Sequence, residues 1–302
     1  MKIGFVSAIL DGWDFPEVVA VAKAQGYGCV EVACWPGGPA ERRYAGVSHI
    51  DVANLTPEKV LDIRGLLAES GIAISSLGFY PNPLDPVGGQ AAIAHLHKVI
   101  DASAALDVNL VTTFIGRDQR LTIDENLKLM GKVWPEILKY AADKGVRIGI
   151  ENCPMLFGAE QWPGGQNLFT TPAIWAQVFE MLDSPALGLN YDPSHFVWQM
   201  MDPIKPIYDF AEKLVHVHIK DIHVDRYRLD QVGIMAYPLE YMAPKLPGHG
   251  DINWGAFVSA LDDVGYDGPV CIEVEDRAYE SSPARILESL ELSKRYIDQF
   301  II

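Results

Sequence analysis

The sequence predicts an eight-stranded α/β barrel, and three observations support this fold class. Strand-like and helix-like segments alternate along all 302 residues. There are eight segments of each kind, and no linker-like stretch divides the chain. The length is normal for a (β/α)₈ barrel, in which parallel strands are each followed by a helix. Residues 1–302 are therefore expected to form a single TIM-barrel domain.

The predicted strands have two distinct faces. In the fifth strand, for example, Ile148 and Ile150 share one face while Gly149 and Glu151 share the other. Because the apolar face must pack against the helices, polar side chains on the opposite face are expected to point into the barrel. The strands are predicted at residues 2–9, 28–34, 72–79, 109–115, 146–152, 186–192, 214–221 and 269–276.

The predicted helices carry recognisable end signals. Thr56 and Thr171 each offer an N-cap hydroxyl before a proline at the first helical position. Gly26, Gly71 and Gly145 each follow a helix as a C-terminal cap. The helices are predicted at residues 15–26, 56–71, 90–106, 124–144, 171–182, 204–213, 253–265 and 283–300.

Three of the segments that follow predicted strands are long. They span residues 35–55, 153–171 and 222–252, after strands two, five and seven. Loops at the C-terminal ends of barrel strands build lids and substrate pockets. A pocket is therefore expected at that face.

Composition excludes several classes of protein. With 49% apolar and 21% charged residues, the chain can bury a large core and does not resemble a disordered protein. The formal net charge of −16 argues against a nucleic-acid partner. No segment has the pattern of a signal peptide or the length of a membrane span, and the four cysteines show no CxxC spacing. A cytoplasmic protein with reduced thiols and no membrane partner is expected.

Four residues with metal-ligand chemistry end consecutive predicted strands. They are Glu151, Asp192, His218 and Glu273 on strands five to eight. Carboxylates together with an imidazole suit a divalent cation such as Mn²⁺, Mg²⁺, Co²⁺ or Zn²⁺. Buried like charges at this spacing would repel one another unless a cation neutralised them. The pattern therefore predicts a site for one divalent metal ion.

Several segments resemble the xylose-isomerase-like barrel superfamily. They are IENCP, NYDPSH, HVHIKD, PGHGDINW and CIEVED, and the resemblance covers essentially the whole chain. The superfamily includes sugar-phosphate isomerases and epimerases, keto-sugar 3-epimerases, inosose dehydratases and type IV endonucleases. The resemblance implies a small-molecule carbohydrate substrate and one divalent ion, with Mn²⁺ or Mg²⁺ favoured over Co²⁺ or Zn²⁺. Members often pair through their loops, so a homodimer is one expected assembly.

The resemblance also implies residue roles. Glu151, Asp192, His218 and Glu273 match the four metal ligands of the keto-sugar epimerases. Glu151 and Glu273 also match the pair that exchanges protons with the substrate; a bound metal would acidify the C–H and stabilise the enediolate that forms when the proton is removed. His195 matches a histidine that binds a substrate oxygen.

Other predicted substrate-binding residues rest on position alone. Arg226 lies shortly after His218, where epimerases hold an arginine, although the spacing differs. Lys220 points inward and would either bind substrate oxygen or pair with a carboxylate. His249 would either touch substrate or cap its loop. The inward-facing Glu31 is expected to be a buried structural carboxylate.

Aromatic residues near strand ends suggest a carbohydrate pocket, because sugar C–H faces stack on aromatic rings. Trp35 and Phe114 are the aromatic residues predicted to bind substrate. Few basic residues follow strands seven and eight, and no glycine-rich phosphate cradle is found there. An unphosphorylated sugar, a 3-keto-glycoside or an inositol-like ring is therefore favoured over a sugar phosphate.

Four functions remain to be compared. The favoured one is a metal-dependent sugar or keto-sugar isomerase or epimerase. The alternative is a metal-dependent lyase or dehydratase acting on a keto-sugar or inosose, since the same enediolate can expel a leaving group. A type IV endonuclease is disfavoured because strands two to four end without histidines. A non-catalytic ligand-binding barrel is the most remote, because both candidate acid/base glutamates are present.

Overall fold

Eight parallel strands close into a barrel in a computed structural model that describes residues 1–38, 44–156 and 158–301. The strands among the described residues are β1 (Lys2–Val6), β2 (Cys29–Ala33), β3 (Ala73–Gly78), β4 (Leu110–Thr113), β5 (Arg147–Glu151), β6 (Leu187–Tyr191), β7 (Leu214–Ile219), β8 (Asp221–Val224), β9 (Met242–Lys245) and β10 (Pro269–Ile272). Around the barrel the order is β1-β10-β7-β6-β5-β4-β3-β2, while β8 and β9 form a separate antiparallel hairpin. The predicted (β/α)₈ fold is confirmed.

Helices surround the barrel, and their ends follow the sequence signals. Thr56 and Thr171 accept hydrogen bonds from the backbone N–H groups of Lys59 and Ile174, and Gly71 ends its helix with a φ of +75°. The helices are α1 (Phe15–Ala24), α2 (Pro57–Ser70), α3 (Gly89–Ala105), α4 (Ile123–Asp143), α5 (Pro172–Leu182), α6 (Ser194–Val197), α7 (Lys205–Asp209), α8 (Arg226–Val232), α9 (Trp254–Asp263) and α10 (Pro283–Ile297).

The structure differs from the sequence prediction at strand seven. The predicted strand 214–221 ends at Ile219, and Asp221 begins β8 instead. The Asp221 carboxylate accepts hydrogen bonds from the N–H groups of Gly248 and Gly250 at 2.9 and 3.2 Å, and from Trp254 Nε1 at 2.9 Å. This buried carboxylate therefore ties the start of the hairpin to the segment that returns to α9, which ends the barrel strand early.

The helix predicted at 204–213 is also shorter than expected. It divides into α7 and a 3₁₀ turn at Ala211–Lys213, because Phe210 leaves the helical conformation with a φ of −123°. Two of the long predicted loops are described only in part, since residues 39–43 and 157 lie outside the described residues. Among the residues that are described, no helix is both long and apolar enough to cross a membrane.

Side chains fill the end of the barrel opposite the site. A Cβ at Gly188 would lie 2.3 Å from Val215 Cγ1, and a Cβ at Gly4 would lie 2.6 Å from Cys29 Sγ. These glycines leave room for side chains of the adjacent strands to pack closely against them. The interior is therefore packed below the level at which the candidate ligands project.

Candidate metal centre and substrate cavity

A cavity of about 880 Å³ lies at the end of the barrel where the candidate ligands project. Its volume is in the range of small-molecule sites. Trp35 from the segment after β2, Met155 from the segment after β5 and Lys245 of β9 form parts of its wall. Polar and charged residues that border it include Glu31, Tyr80, His195, Lys220, Glu273 and Glu275.

The four predicted ligands converge beside this cavity. One donor atom from each of Glu151, Asp192, His218 and Glu273 lies within 4.8 Å of the other three. His218 Nδ1 is 3.7 Å from Glu151 Oε1 and 3.6 Å from Glu273 Oε2. Ligand atoms that share one ion at about 2.0–2.2 Å are themselves about 3.0–3.5 Å apart. The observed spacing is thus slightly wider than that of a filled coordination sphere.

The ring nitrogen of His218 that points away from the ligand cluster, Nε2, contacts a buried carboxylate. Its Nε2 lies 2.8 Å from Glu31 Oε2, and the Tyr80 hydroxyl donates a hydrogen bond to Glu31 Oε1. Its Nδ1 is buried and has no hydrogen-bond partner among the described residues. Burial lowers the pKa of His218, but the Glu31 and Glu151 carboxylates outweigh it and raise that pKa well above its usual value. A cation that binds Nδ1 must therefore displace a proton.

Asp192 is fixed by its backbone and by an ammonium group. Its N–H and C=O form two 2.8 Å hydrogen bonds with the side-chain amide of Asn152. Its Oδ2 lies 2.8 Å from Lys220 Nζ, which is also 2.7 Å from Glu273 Oε2 and 3.4 Å from Glu275 Oε2. Lys220 therefore borders the cavity and also pairs with three carboxylates.

The two candidate acid/base glutamates have opposite protonation tendencies. Burial raises the pKa of Glu273 to about 7, with Glu275 adding to the effect and Lys220 opposing it. Burial also acts on Glu151, but the neighbouring imidazoles of His195 and His218 outweigh it and lower its pKa to about 2. Near neutral pH, Glu151 is therefore a carboxylate while Glu273 readily gains or loses a proton. Such a divergence is typical of acid/base pairs.

The predicted substrate-binding residues fall into two groups. His195, Lys220 and Trp35 border the cavity, and His195 Nε2 lies 3.1 Å from Asp192 Oδ2. Phe114 is only 2% exposed and packs against Tyr80 with ring centroids 5.0 Å apart, bordering a neighbouring cavity instead.

Arg226 and His249 lie apart from the cavity. Arg226 is exposed at the start of α8, and its Nη1 is 3.4 Å from Met200 Sδ. His249 is exposed, and its ring faces Tyr279 at 6.4 Å. Neither borders the main cavity among the residues that the structure describes. This placement gives no support to the substrate-binding role predicted for either residue.

The sequence analysis missed the contact between Glu31 and His218. Glu31 is buried, as expected, but its carboxylate also orients a candidate metal ligand. No sequence signal connects the two residues, which are 187 positions apart. The inward direction of Glu31 on its strand was the only available hint.

A family model described as a xylose isomerase-like TIM barrel matches residues 19–296. The uncharacterized protein YfiH of Bacillus subtilis is 26% identical over 324 residues, which cover 99% of this chain and 100% of that protein. Inosose dehydratase of Clostridium tetani is 28% identical over 137 residues, 45% of each chain.

Solved structures share the fold over the full length. D-psicose 3-epimerase from Clostridium cellulolyticum H10, solved with D-tagatose, superposes with a TM-score of 0.70 and 16% identity, covering 100% of this chain and 99% of that one. The IOLI protein, solved with a zinc atom, superposes with a TM-score of 0.72 and 17% identity over 100% and 99% of the two chains. At these identities the similarity shows a common fold alone.

Proposed function

Since this chain belongs to the xylose isomerase-like TIM barrel family, we propose that it is a divalent-metal-dependent isomerase or epimerase of a sugar or keto-sugar. The observation that carries the proposal is geometric: one donor atom from each of four ligand-type residues, Glu151 and Glu273 among them, lies within 4.8 Å of the others beside the cavity. The proposal treats residues 1–302 as one functional domain.

Glu151, Asp192, His218 and Glu273 would hold the ion. Three carboxylates and an imidazole match the donor set of Mn²⁺ or Mg²⁺ first, and of Co²⁺ or Zn²⁺ next. The buried Nδ1 of His218, which lacks a hydrogen-bond partner among the described residues, supports this assignment. When bound, the ion would polarise neighbouring substrate oxygens and so acidify the adjacent C–H bond.

The protein side chains would move the proton. Glu151, a carboxylate at neutral pH, would remove it from the carbon next to the carbonyl. Glu273 would return a proton from the other side, because β5 and β10 are separated by β6 and β7 around the barrel. Return to the same carbon gives an epimer, and return to the neighbouring carbon gives an isomer.

The substrate would be oriented by cavity residues. Lys220 and His195 offer charged donors to hydroxyl or carbonyl oxygens beside the ligand cluster. Trp35 and Tyr80 border the same cavity with aromatic rings that suit the C–H faces of a sugar. This combination favours a neutral polyhydroxy compound as substrate.

A dehydratase or lyase acting on a keto-sugar or inosose is the second candidate. The match to inosose dehydratase favours it. Its first proton transfer would be the same, with Glu151 as the base. The two reactions diverge at Glu273, whose proton goes to carbon in an epimerase and to a leaving hydroxyl or alkoxide in a dehydratase or lyase.

Solvent-deuterium incorporation tests the proposal. The Mn²⁺-loaded protein is mixed in D₂O with free ketoses, 3-keto-sugars and inososes and followed by NMR. Exchange with inversion, or with carbonyl migration, at a carbon next to the carbonyl is the expected result. Exchange with loss of water or an aglycone would establish the second candidate instead. Absence of exchange with every compound, despite bound metal, would contradict both.

A further inference from the structure

The segment after β5 gives one side of the cavity a different donor chemistry. Cys153 and Met155 both border the cavity, and Cys153 Sγ lies 3.8 Å from Met155 Sδ. Two sulfur atoms thus lie beside a cluster that otherwise offers only oxygen and nitrogen. Sulfur donors select softer cations than carboxylates do.

Cys153 also belongs to a second group of ligand-type residues. The nearest donor atoms of Glu151, Cys153 and His195 all lie within 4.8 Å of one another. The first two project from the end of β5 and the segment after it, and His195 projects from α6. His195 Nε2 is 3.6 Å from Glu151 Oε1. A carboxylate, a thiol and an imidazole from two elements therefore surround a common point.

The other three cysteines are buried away from the cavity. Cys34 is fully buried and donates its thiol hydrogen to the Val32 carbonyl. Cys29 and Cys271 are buried in the packed interior of the barrel beside Gly4. All four cysteines are among the described residues, and Cys153 is the one that borders the cavity.

We propose that Glu151, Cys153 and His195 form a second cation site, which takes a thiophilic divalent ion such as Zn²⁺. Three protein ligands of this kind, with a remaining position open to the cavity, are a common arrangement for zinc. Met155 Sδ accepts from the Cys153 thiol at 3.8 Å and adds a second sulfur beside the site, which favours ions that tolerate sulfur. Glu151 has two carboxylate oxygens, so it can serve both this site and the four-ligand cluster.

This second site would separate the effects of two kinds of metal ion. A hard ion such as Mg²⁺ would bind the four-ligand cluster alone. A thiophilic ion would also engage His195, which lies at 3.1 Å from Asp192 and borders the cavity. Excess Zn²⁺ is therefore expected to occupy the space that a substrate needs. The inference concerns metal binding and does not depend on which reaction the protein catalyses.

Cobalt spectroscopy tests the second site. The protein is first saturated with Mg²⁺ and then titrated with Co²⁺, while the near-ultraviolet thiolate-to-cobalt charge-transfer band is recorded. The band should appear in the wild type and should be abolished by one equivalent of Zn²⁺ but not by further Mg²⁺. It should be absent from Cys153→Ser and retained in Cys34→Ala, the matched control.

The outcomes decide the proposal in either direction. No charge-transfer band in the wild type, or a band that persists in Cys153→Ser, would overturn it. The same holds for a band that Mg²⁺ removes, because the site would then not be thiophilic. Mn²⁺ affinity and the circular dichroism spectrum are measured for Cys153→Ser. Unchanged values exclude the possibility that loss of the band reflects misfolding.

Discussion

The two halves of the barrel mouth differ in their chemistry. The ends of β5, β6, β7 and β10 carry Glu151, Asp192, His218 and Glu273. The ends of β1, β2 and β3 and the residues just after them border the cavity with the small residues Ala8, Ala33 and Gly78, beside larger ones such as Glu31, Trp35 and Tyr80. One half therefore supplies the donor atoms and the other supplies space for a ligand to reach them.

The half with small residues also supports the half with donors. A Cβ at Gly78 would lie 2.6 Å from Glu31 Oε1, so this glycine leaves the room in which the carboxylate reaches His218. Tyr80, just beyond β3, donates to the same carboxylate. One half of the mouth therefore carries the candidate metal ligands, while the other half orients His218 through Glu31 and leaves space for the cavity. Substitutions in the two halves should therefore have different effects.

The largest effect is expected in the donor half. Glu273→Gln removes the group that would return the proton, so turnover should fall by about 10³-fold or more while the fold remains. The measurement is the rate of product formation followed by NMR, with circular dichroism as the check on folding. Glu275→Gln is the matched control, because Glu275 also lies near Lys220 but outside the ligand group. A Glu273→Gln protein within tenfold of the wild-type rate would contradict the proposed role.

The next effect concerns the pH dependence of metal binding. Burial raises the pKa of Glu273 to about 7, and nearby carboxylates raise that of His218 well above its usual value. Both groups hold protons below pH 7, so a bound ion must displace two. Mn²⁺ affinity should then fall by about a hundredfold per pH unit below 7, and by about tenfold per unit just above it. Calorimetric titrations from pH 5.5 to 8 measure the slope, and a flat profile would contradict proton displacement from these two residues.

The difference between the two halves also explains what the sequence could predict. Glu151, Asp192, His218 and Glu273 were found because alternation within each strand specifies which side chains face inward. Their convergence followed from the closed barrel. The same reasoning predicted that Glu31 faces inward, but it did not predict the contact with His218. The conformation of the Glu31 side chain depends on Gly78 of β3 and on Tyr80 just after it.

The path of the long loop after β7 was beyond sequence reasoning. The resemblance to epimerases, which hold an arginine shortly after the corresponding histidine, suggested that Arg226 binds the substrate. Instead, β8 and β9 form a hairpin, anchored through Asp221, that leaves Arg226 exposed at the start of α8. The length of this loop could be read from the sequence, but its direction depends on hydrogen bonds between residues about 27 positions apart.

A smaller effect is expected from the supporting half. Glu31→Gln keeps an oxygen near His218 Nε2 but removes the charge, so Mn²⁺ affinity should fall by about 10- to 100-fold. Tyr80→Phe, which removes only the hydroxyl that donates to Glu31, should produce a smaller loss. Both affinities are measured by calorimetry at one pH. Unchanged Mn²⁺ affinity in Glu31→Gln would mean that Glu31 does not support His218 as a metal ligand.

The smallest effect is expected outside both halves. Arg226→Ala and His249→Ala alter exposed residues that do not border the cavity among those described, so kcat/KM should change by no more than about twofold. Arg277→Ala is the matched comparison, because Arg277 is exposed as well but does border the cavity, and it should raise KM. Steady-state kinetics on the substrate identified by deuterium exchange provide the measurement. If Arg226→Ala raised KM as much as Arg277→Ala did, the loop carrying α8 would have to move onto the bound substrate, and the mouth would have a third functional part.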